Sequence, residues 1–246
     1  MKLIEIKDLE KKQEAIEQEI CRIAEENRLS NEGIEPIYDG VGDLEQFLIS
    51  TLNTTVILKE PYDSKDEDGN PLGGGWSLVR DSFMKNVKWP VLTWQRIIYI
   101  MYGVKNNLYW KTMDYIRDNP EMGKVLRELP WINLSKMPYQ TQSKTNRVES
   151  EYNNFWKPIV KDQIDLYNSK ILLFGGTFNI CRNDFISNDV PPMKTIELDN
   201  RSSIEVYESK GRILLNAPHP GFMYKRVEYI ERYINNLIDI IDKYRK

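Results

Sequence analysis

The sequence predicts an α/β protein with three layers, in which helices cover both faces of a short, mostly parallel sheet of four strands. Short β-branched and aliphatic runs alternate with helical patterns along the chain, which indicates βαβ crossovers and therefore parallel strands. The runs are short and mostly apolar, as is typical of strands buried on both faces. A length of 246 residues suits one such domain with an added arm.

The predicted elements follow one another in a regular order. The four apolar runs that we interpret as strands lie at residues 54–58, 129–134, 170–174 and 212–215. Helical patterns between and after them lie at residues 77–87, 92–102, 152–167, 177–185 and 222–244. Residues 141–151 and 188–201 are polar and are predicted as loops, and residues 204–208 are a candidate extra strand at the sheet edge.

Residues 1–38 are predicted to form a helical arm, and residues 39–246 the main domain. A charged helical pattern runs from about residue 8 to residue 28, with a narrow apolar stripe formed by Leu9, Ile16, Ile20 and Ile23. We expect this helix to lie on the main domain, and a helix that docks a protein partner is the alternative.

Composition limits the classes of function. The net charge of −3 provides no global basic field, so binding to nucleic acid would need a local basic patch. Cys21 and Cys181 have no paired spacing, which favours a reduced, cytoplasmic chain. The first residues show no apolar signal core, and no run approaches the ~18 apolar residues of a membrane span.

Familiar motifs for metals and cofactors do not fit. The acidic run at residues 66–69 lacks the final Glu of a calcium loop, and the glycines at 73–75 lack the Lys-Ser/Thr of a phosphate-binding loop. One histidine and two scattered cysteines do not provide a zinc ligand set. We therefore expect neither metal nor cofactor. A nucleophilic pair of Cys181 and His219 stays open, although Cys181 lies in an apolar helical stretch.

Three polar segments follow three different predicted strands. Residues 58–63, 131–136 and 216–221 contain Glu60, Asn133 and the only histidine, His219. A parallel sheet would bring these segments together at the edge where its strands end. A carboxylate, an amide and an imidazole with aromatic rings nearby are suited to recognising a flat heterocycle.

The order of these segments resembles the uracil-DNA glycosylase superfamily, over roughly residues 39–243. Residues 58–63 stand where that family has Gly-Gln-Asp-Pro-Tyr-His, and Asn133 stands where it has the Asn that pairs with the uracil edge. The Leu-Phe-Gly-Gly run at 173–176 is similar to the end of the family's third strand. Residues 219–221, His-Pro-Gly, stand at its His-Pro-Ser motif.

The resemblance implies hydrolysis of the N-glycosidic bond of a flipped, uracil-like base in DNA, without a metal. By this resemblance, His219 would bind the base O2 and stabilise the anionic leaving group, and Asn133 would select the base. Glu60 would position or activate water, or offset the positive charge of the sugar.

The same resemblance implies contacts around the base and along the DNA. An aromatic ring would stack on the base, from among Tyr62, Trp76 and Phe83. The residues expected to contact DNA are Met223 as an apolar wedge, with Tyr224, Lys225 and Arg226.

Several positions depart from the family pattern. Leu58 replaces a Gly, Glu60 an Asp, Asp63 a His and Gly221 a Ser. The longer Glu60 side chain and the acidic stretch at 63–68 weaken the expectation of catalysis on DNA. They favour a first alternative, a module that binds a base, nucleotide or nucleic acid without cleaving it. A second alternative is a structural or interaction protein, in which the N-terminal helix docks a partner and the pocket is vestigial. Glu60, Asn133 and His219 would then be ordinary loop and turn residues.

Overall fold

The computed structural model describes residues 2–30, 33–63, 68, 70, 72–85, 90–138, 144–222 and 226–246. Its strands are β1 Thr54–Leu58, β2 Trp131–Asn133, β3 Ile171–Gly175, β4 Lys194–Asp199, β5 Ser202–Ser209 and β6 Arg212–Ala217. They form one six-stranded mixed sheet in the order β2-β1-β3-β6-β5-β4.

Four of the six strands form the parallel part of this sheet. β2, β1, β3 and β6 pair side by side in the same direction, with Leu58 opposite Asn133 and Leu173 opposite Leu215. These strands lie where the apolar runs predicted them, and every residue of β1, β2 and β3 is buried. Their carboxyl ends therefore meet at one edge of the sheet.

The prediction of a four-stranded sheet is wrong, because β4 and β5 add a hairpin to β6. β5 lies between β6 and β4 and pairs antiparallel with both, so it is not an edge strand. β4 occupies part of the predicted loop at 188–201. Its residues Lys194, Thr195 and Glu197 are exposed, so a charged edge strand was mistaken for a polar loop.

Helices cover both faces of the sheet. The α-helices are α1 Lys2–Glu26, α2 Leu44–Ile49, α3 Leu92–Asn106, α4 Thr145–Glu151, α5 Lys157–Tyr167, α6 Phe178–Cys181 and α7 Val227–Tyr244. π-Helical turns span Leu78–Phe83 and Tyr152–Trp156, and 3-10 turns span Trp110–Thr112, Pro120–Glu128 and Arg182–Asp184. None of the helices in the described part of the chain is long and apolar enough to cross a membrane.

Successive residues of the strands pack against opposite helical layers. Val56 packs in one core with α3 and α7, and its neighbour Ile57 packs in a second core with α5 and α6. The parallel strands are therefore buried on both faces. The expected loop at 141–151 is wrong in its second part, because residues 145–151 form α4.

The first helix lies against the body of the protein. Ile20 and Ile23 of α1 pack with Trp156 and Ile159 in a third cluster. The Gln13 side chain also donates a hydrogen bond to the Val41 carbonyl and accepts one from the Val41 amide. The division of the chain at residue 38 and the docking of a partner by this helix stay predictions.

We expect Gly103→Ala to destabilise the packing of α3 on α7. A Cβ at this position would lie 2.5 Å from Ile238 Cδ1 and 2.7 Å from the Leu108 carbonyl oxygen. Alanine gains about 1 kcal/mol in helix propensity, but overpacking costs roughly 1–3 kcal/mol. Urea unfolding should show a lower free energy of unfolding for this variant. Asn106→Ala, at an exposed position of the same helix, should stay near wild type, and equal stability of all three proteins would refute this account.

Candidate functional site

A cleft of about 440 Å³ lies where β1, β2 and β6 end, and it brings the three predicted polar residues together. Glu60 follows β1, Asn133 ends β2 and His219 follows β6, and all three line the cleft. Its other lining residues are Leu58, Pro61, Tyr62, Asp63, Trp76, Leu78, Ser82, Val91, Leu92, Thr93, Trp94, Trp131 and Gly221. The convergence follows from the parallel strands, whose carboxyl ends share an edge.

A larger cavity, of about 490 Å³, is less suited to chemistry. It lies between α1, α2 and the amino end of β1. Its buried carboxylate, Glu128, already forms an ion pair with Lys105 at 2.5 Å. The cleft at the carboxyl ends of the strands is the better candidate for a functional site, because it contains buried polar atoms without a hydrogen-bond partner among the described residues.

Glu60 has one carboxylate oxygen that accepts no hydrogen bond from any described residue. The side chain is 1% exposed, and its Oε2 forms an ion pair with the Arg147 guanidinium of α4. Its Oε1 is buried and has no hydrogen-bond partner among the described residues. A buried acceptor without a donor is costly, so this oxygen is a strong candidate to bind a ligand.

Asn133 also has a buried polar atom without a hydrogen-bond partner among the described residues. The residue is 1% exposed, and its Nδ2 is buried without an acceptor among the described residues. Its backbone is fixed on both sides, because Asn133 pairs with Leu58 in the sheet and its N–H donates to Asp39 Oδ2 at 2.6 Å. The cleft therefore contains a rigidly held amide with an unused donor.

A buried charged network supports Asn133 from behind. Lys136 is 0% exposed, and its Nζ donates to Asp39 Oδ1 and Oδ2 at 2.9 and 2.8 Å and to Gln163 Oε1 at 2.8 Å. Gln163 Nε2 also donates to Asp39 Oδ1 at 2.6 Å. The Asp39 carboxylate thus accepts from a lysine, an amide side chain and the Asn133 backbone.

His219 is an uncharged imidazole with a defined tautomer. Its Nδ1 accepts a hydrogen bond from the Gly221 N–H at 3.0 Å, so the neutral ring carries its proton on Nε2. Burial, with the nearby charges of Lys59 and Arg96, lowers the pKa of His219 to about 4. At neutral pH the ring can donate a hydrogen bond from Nε2. It lacks the second proton of an imidazolium, so it does not act as a general acid.

Leu58 and Gly221, two departures from the family pattern, are explained by packing. A Cβ on Gly175 would lie 2.5 Å from Leu58 Cδ2, so the leucine fills the space above that glycine. A Cβ on Gly221 would lie 2.6 Å from Thr93 Oγ1 and 2.9 Å from His219 Cε1. A serine at position 221 would therefore displace the imidazole or Thr93.

The glycine run surrounds a carboxylate of the protein itself. Asp63 Oδ2 accepts from the Gly73 N–H at 2.6 Å, and Oδ1 accepts from Gly74 N–H at 3.2 Å and Trp76 Nε1 at 3.1 Å. Gly73 and Gly74 have φ values of +87° and +80°, which side chains rarely adopt. Asp63 therefore organises the loop that carries Trp76 into the cleft wall.

The aromatic residues divide into three groups. Tyr62 and Trp76 line the cleft, and Tyr62 is 55% exposed. The expectation that Phe83 could stack on a ligand is wrong, because it is fully buried behind the cleft, edge-to-face with Trp94 and Trp131. Trp94 and Trp131 line the cleft instead.

The residues predicted to contact DNA follow the His-Pro-Gly turn. Met223, Tyr224 and Lys225 lie outside the described residues. Arg226 is exposed immediately before α7 and is not among the residues that line the cleft. Cys181 does not line the cleft that contains His219, so the two residues do not form a nucleophilic pair there. Burial raises the pKa of the Cys181 thiol far above its usual range, so it is not a nucleophile.

Arg147 is the principal site residue that the sequence did not reveal. It joins Glu60 to Glu151, whose Oε1 lies 3.0 Å from Arg147 Nη1. Glu60 and Arg147 are 87 residues apart, and Arg147 belongs to the stretch predicted as a loop. Its place four residues before a glutamate on one helix was the available signal.

We expect Lys136→Met to destabilise the protein by roughly 3–5 kcal/mol, because it leaves the Asp39 carboxylate buried without its cation. Denaturant unfolding measures this loss. Lys12→Met is the matched control, since Lys12 and its partner Asp8 are 58% and 60% exposed, and its stability should stay close to wild type. Equal effects of both variants would contradict the account of the buried network.

We expect NMR titration of the only imidazole to give a midpoint near pH 4 in the folded protein. In urea the midpoint should return to about 6.5. Between these values the unfolded chain binds the proton and the folded chain does not, so stability falls as pH decreases from about 6.5 to 4. His219→Gln should flatten that dependence. A folded midpoint near 6.5 would show that the imidazole is solvated.

The described residues include no group of three His, Cys, Asp or Glu side chains placed to hold a metal ion. No protein-family model matches the chain, and no curated protein matches it significantly. The interpretation of the cleft therefore depends on its own geometry and on the motif resemblance.

Proposed function

We propose that this protein is a DNA glycosylase of the uracil-DNA glycosylase type, which hydrolyses the N-glycosidic bond of a flipped, uracil-like base. One observation carries the proposal. Glu60, Asn133 and His219 follow three parallel strands and line one cleft, where Glu60 Oε1 and Asn133 Nδ2 are buried without partners among the described residues. The four parallel strands and the order of the motifs along the chain support the same resemblance.

Asn133 is the base-selecting group in this proposal. Its amide places a donor beside an acceptor, which is complementary to the carbonyl and N–H on the edge of a uracil. Its backbone is held by β1 and by Asp39, so little conformational freedom is lost on binding. Tyr62 and Trp76 at the cleft provide surfaces on which a flat ring can stack.

His219 stabilises the departing base. As the bond between the sugar and the base nitrogen breaks, negative charge develops on the base oxygens, and the Nε2–H of the neutral imidazole donates to one of them. The base leaves as an anion and takes its proton from solvent. A hydrogen bond from a fixed donor suffices, so the low pKa of His219 is compatible with this role.

Glu60 acts on the sugar side of the bond. Its Oε1 can accept a hydrogen bond from the attacking water, and the carboxylate charge offsets the positive charge that forms on the sugar. Water adds to the sugar carbon, the bond to the base breaks, and the water proton passes to solvent. The products are the free base and an abasic site.

The contact between Glu60 and Arg147 favours a second candidate function, base binding without cleavage. The guanidinium engages one oxygen of the carboxylate that would act on water, which weakens it as a base. Such a protein would recognise a flipped or terminal base through Asn133 and His219 and release it unchanged.

We expect the wild-type protein to form abasic sites in uracil-containing oligonucleotides, detected by alkaline cleavage of single- and double-stranded DNA. Asn133→Ala and His219→Ala should each reduce the rate by about 100-fold or more. Asn154→Ala, which removes an exposed amide that does not line the cleft, is the matched control and should match wild type.

The outcomes separate the two functions. Tight binding of uracil-containing DNA without cleavage would reject the glycosylase and support the binding module. Neither binding nor cleavage, in wild type and variants alike, would reject both.

A further inference from the structure

We infer that Arg96 is a positioning residue for His219, because it fixes the turn that carries the imidazole. This inference rests on the proposed function of the cleft, since it concerns the group that would stabilise the leaving base. Arg96 lies in α3, outside every motif in the sequence, and it does not line the cleft.

Arg96 is a buried cation in contact with the turn. It is 6% exposed, its Nη1 donates to the Pro220 carbonyl, and its guanidinium carbon lies 3.8 Å from the centre of the Phe222 ring. Burial lowers its pKa, and the groups that oppose this shift are the hydroxyls of Tyr229 and Tyr233, not a carboxylate. A buried charge with so little compensation is costly, so a functional reason is expected.

The turn is held at both of its prolines. Tyr233 Oη of α7 donates to the Pro218 carbonyl at 3.0 Å, while Arg96 of α3 binds the Pro220 carbonyl. The Phe222 ring packs edge-to-face on Tyr233, with centroids 5.1 Å apart. His219 therefore sits on a short loop fastened between two helices, which fixes the direction of its ring.

The charge of Arg96 acts on the protonation of His219. Two charged groups act on the imidazole, Lys59 from the loop after β1 and Arg96 from α3. Glu60 lines the same cleft, and Tyr233 of α7 donates to the Pro218 carbonyl of the turn. Burial is the main cause of its lowered pKa, and the positive charges of Lys59 and Arg96 add to it. A second positive charge beside a buried guanidinium is unfavourable, so the ring stays neutral.

Neutrality also preserves the geometry of the turn. Nδ1 must keep its lone pair to accept the Gly221 N–H at 3.0 Å. Protonation at Nδ1 would place two donors against each other and would break this contact. Arg96, by disfavouring a second proton on the ring, thus helps to preserve the contact between Nδ1 and the Gly221 N–H.

The test uses Arg96→Gln and Arg96→Lys in the full chain, with NMR titration of the only histidine as the readout. Arg96→Gln removes one of the two positive charges that lower the pKa of His219, so the midpoint should rise by roughly half a pH unit. Arg96→Lys keeps the charge and should leave the midpoint near that of wild type. Lys59→Met is a positive control, because it removes the other cation and should also raise the midpoint.

Three results would overturn the inference. An unchanged midpoint in Arg96→Gln would show that the guanidinium does not act on the imidazole. An equal rise in Arg96→Gln and Arg96→Lys would show that packing alone is responsible. If Arg96→Gln fails to fold, a raised midpoint in Arg96→Lys by itself would reject the role of charge.

The titration does not depend on turnover, so the two proposals fail separately. If wild type forms no abasic sites but Arg96→Gln raises the midpoint, the glycosylase function falls and the role of Arg96 stands. If wild type is active, Arg96→Gln should reduce kcat more than it raises KM, and the lysine variant should restore kcat. An active protein in which Arg96→Gln changes neither kcat nor the midpoint would reject the role of Arg96 alone.

Discussion

The buried carboxylate of Asp39 is the interaction on which the cleft depends. Asp39 precedes α2 and β1 in the chain. Its carboxylate accepts hydrogen bonds from Lys136 after β2, from Gln163 of α5 and from the Asn133 backbone. A carboxylate removed from water is tolerated only when donors surround it, so these elements are fixed relative to one another. Asn133 can then hold an unused amide donor in the cleft without relaxing toward another partner.

Glu60 and the turn that carries His219 are each in contact with a cation from a helix outside the sheet. Arg147 of α4 neutralises Glu60, and Arg96 of α3 faces the turn of His219. The lining itself contains two carboxylates, Glu60 and Asp63, and no lysine or arginine among the described residues, so both cations act from outside the cleft wall.

The sequence predicted the positions of strands whose residues are all buried and apolar or β-branched. It did not predict which polar residues are buried. β1 and β3 are apolar runs, so their positions, and the meeting of Glu60, Asn133 and His219 beyond the parallel strands, could be predicted. In the sequence, Lys136 looks like a surface residue. Its burial depends on Asp39 and Gln163, which are 97 and 27 residues away along the chain. Phe83 was misplaced because a π-helical turn directs it into the core.

The hairpin of β4 and β5 has a consequence for self-association. Without it, the apolar strand β6 would present unpaired backbone groups to solvent, which is a template for aggregation. β4 ends the sheet instead, with exposed charges and an irregular register between Glu197 and Asp199. These features discourage strand addition by a second molecule. The hairpin thus protects the backbone of β6 and leaves a charged, irregular strand at this edge of the sheet.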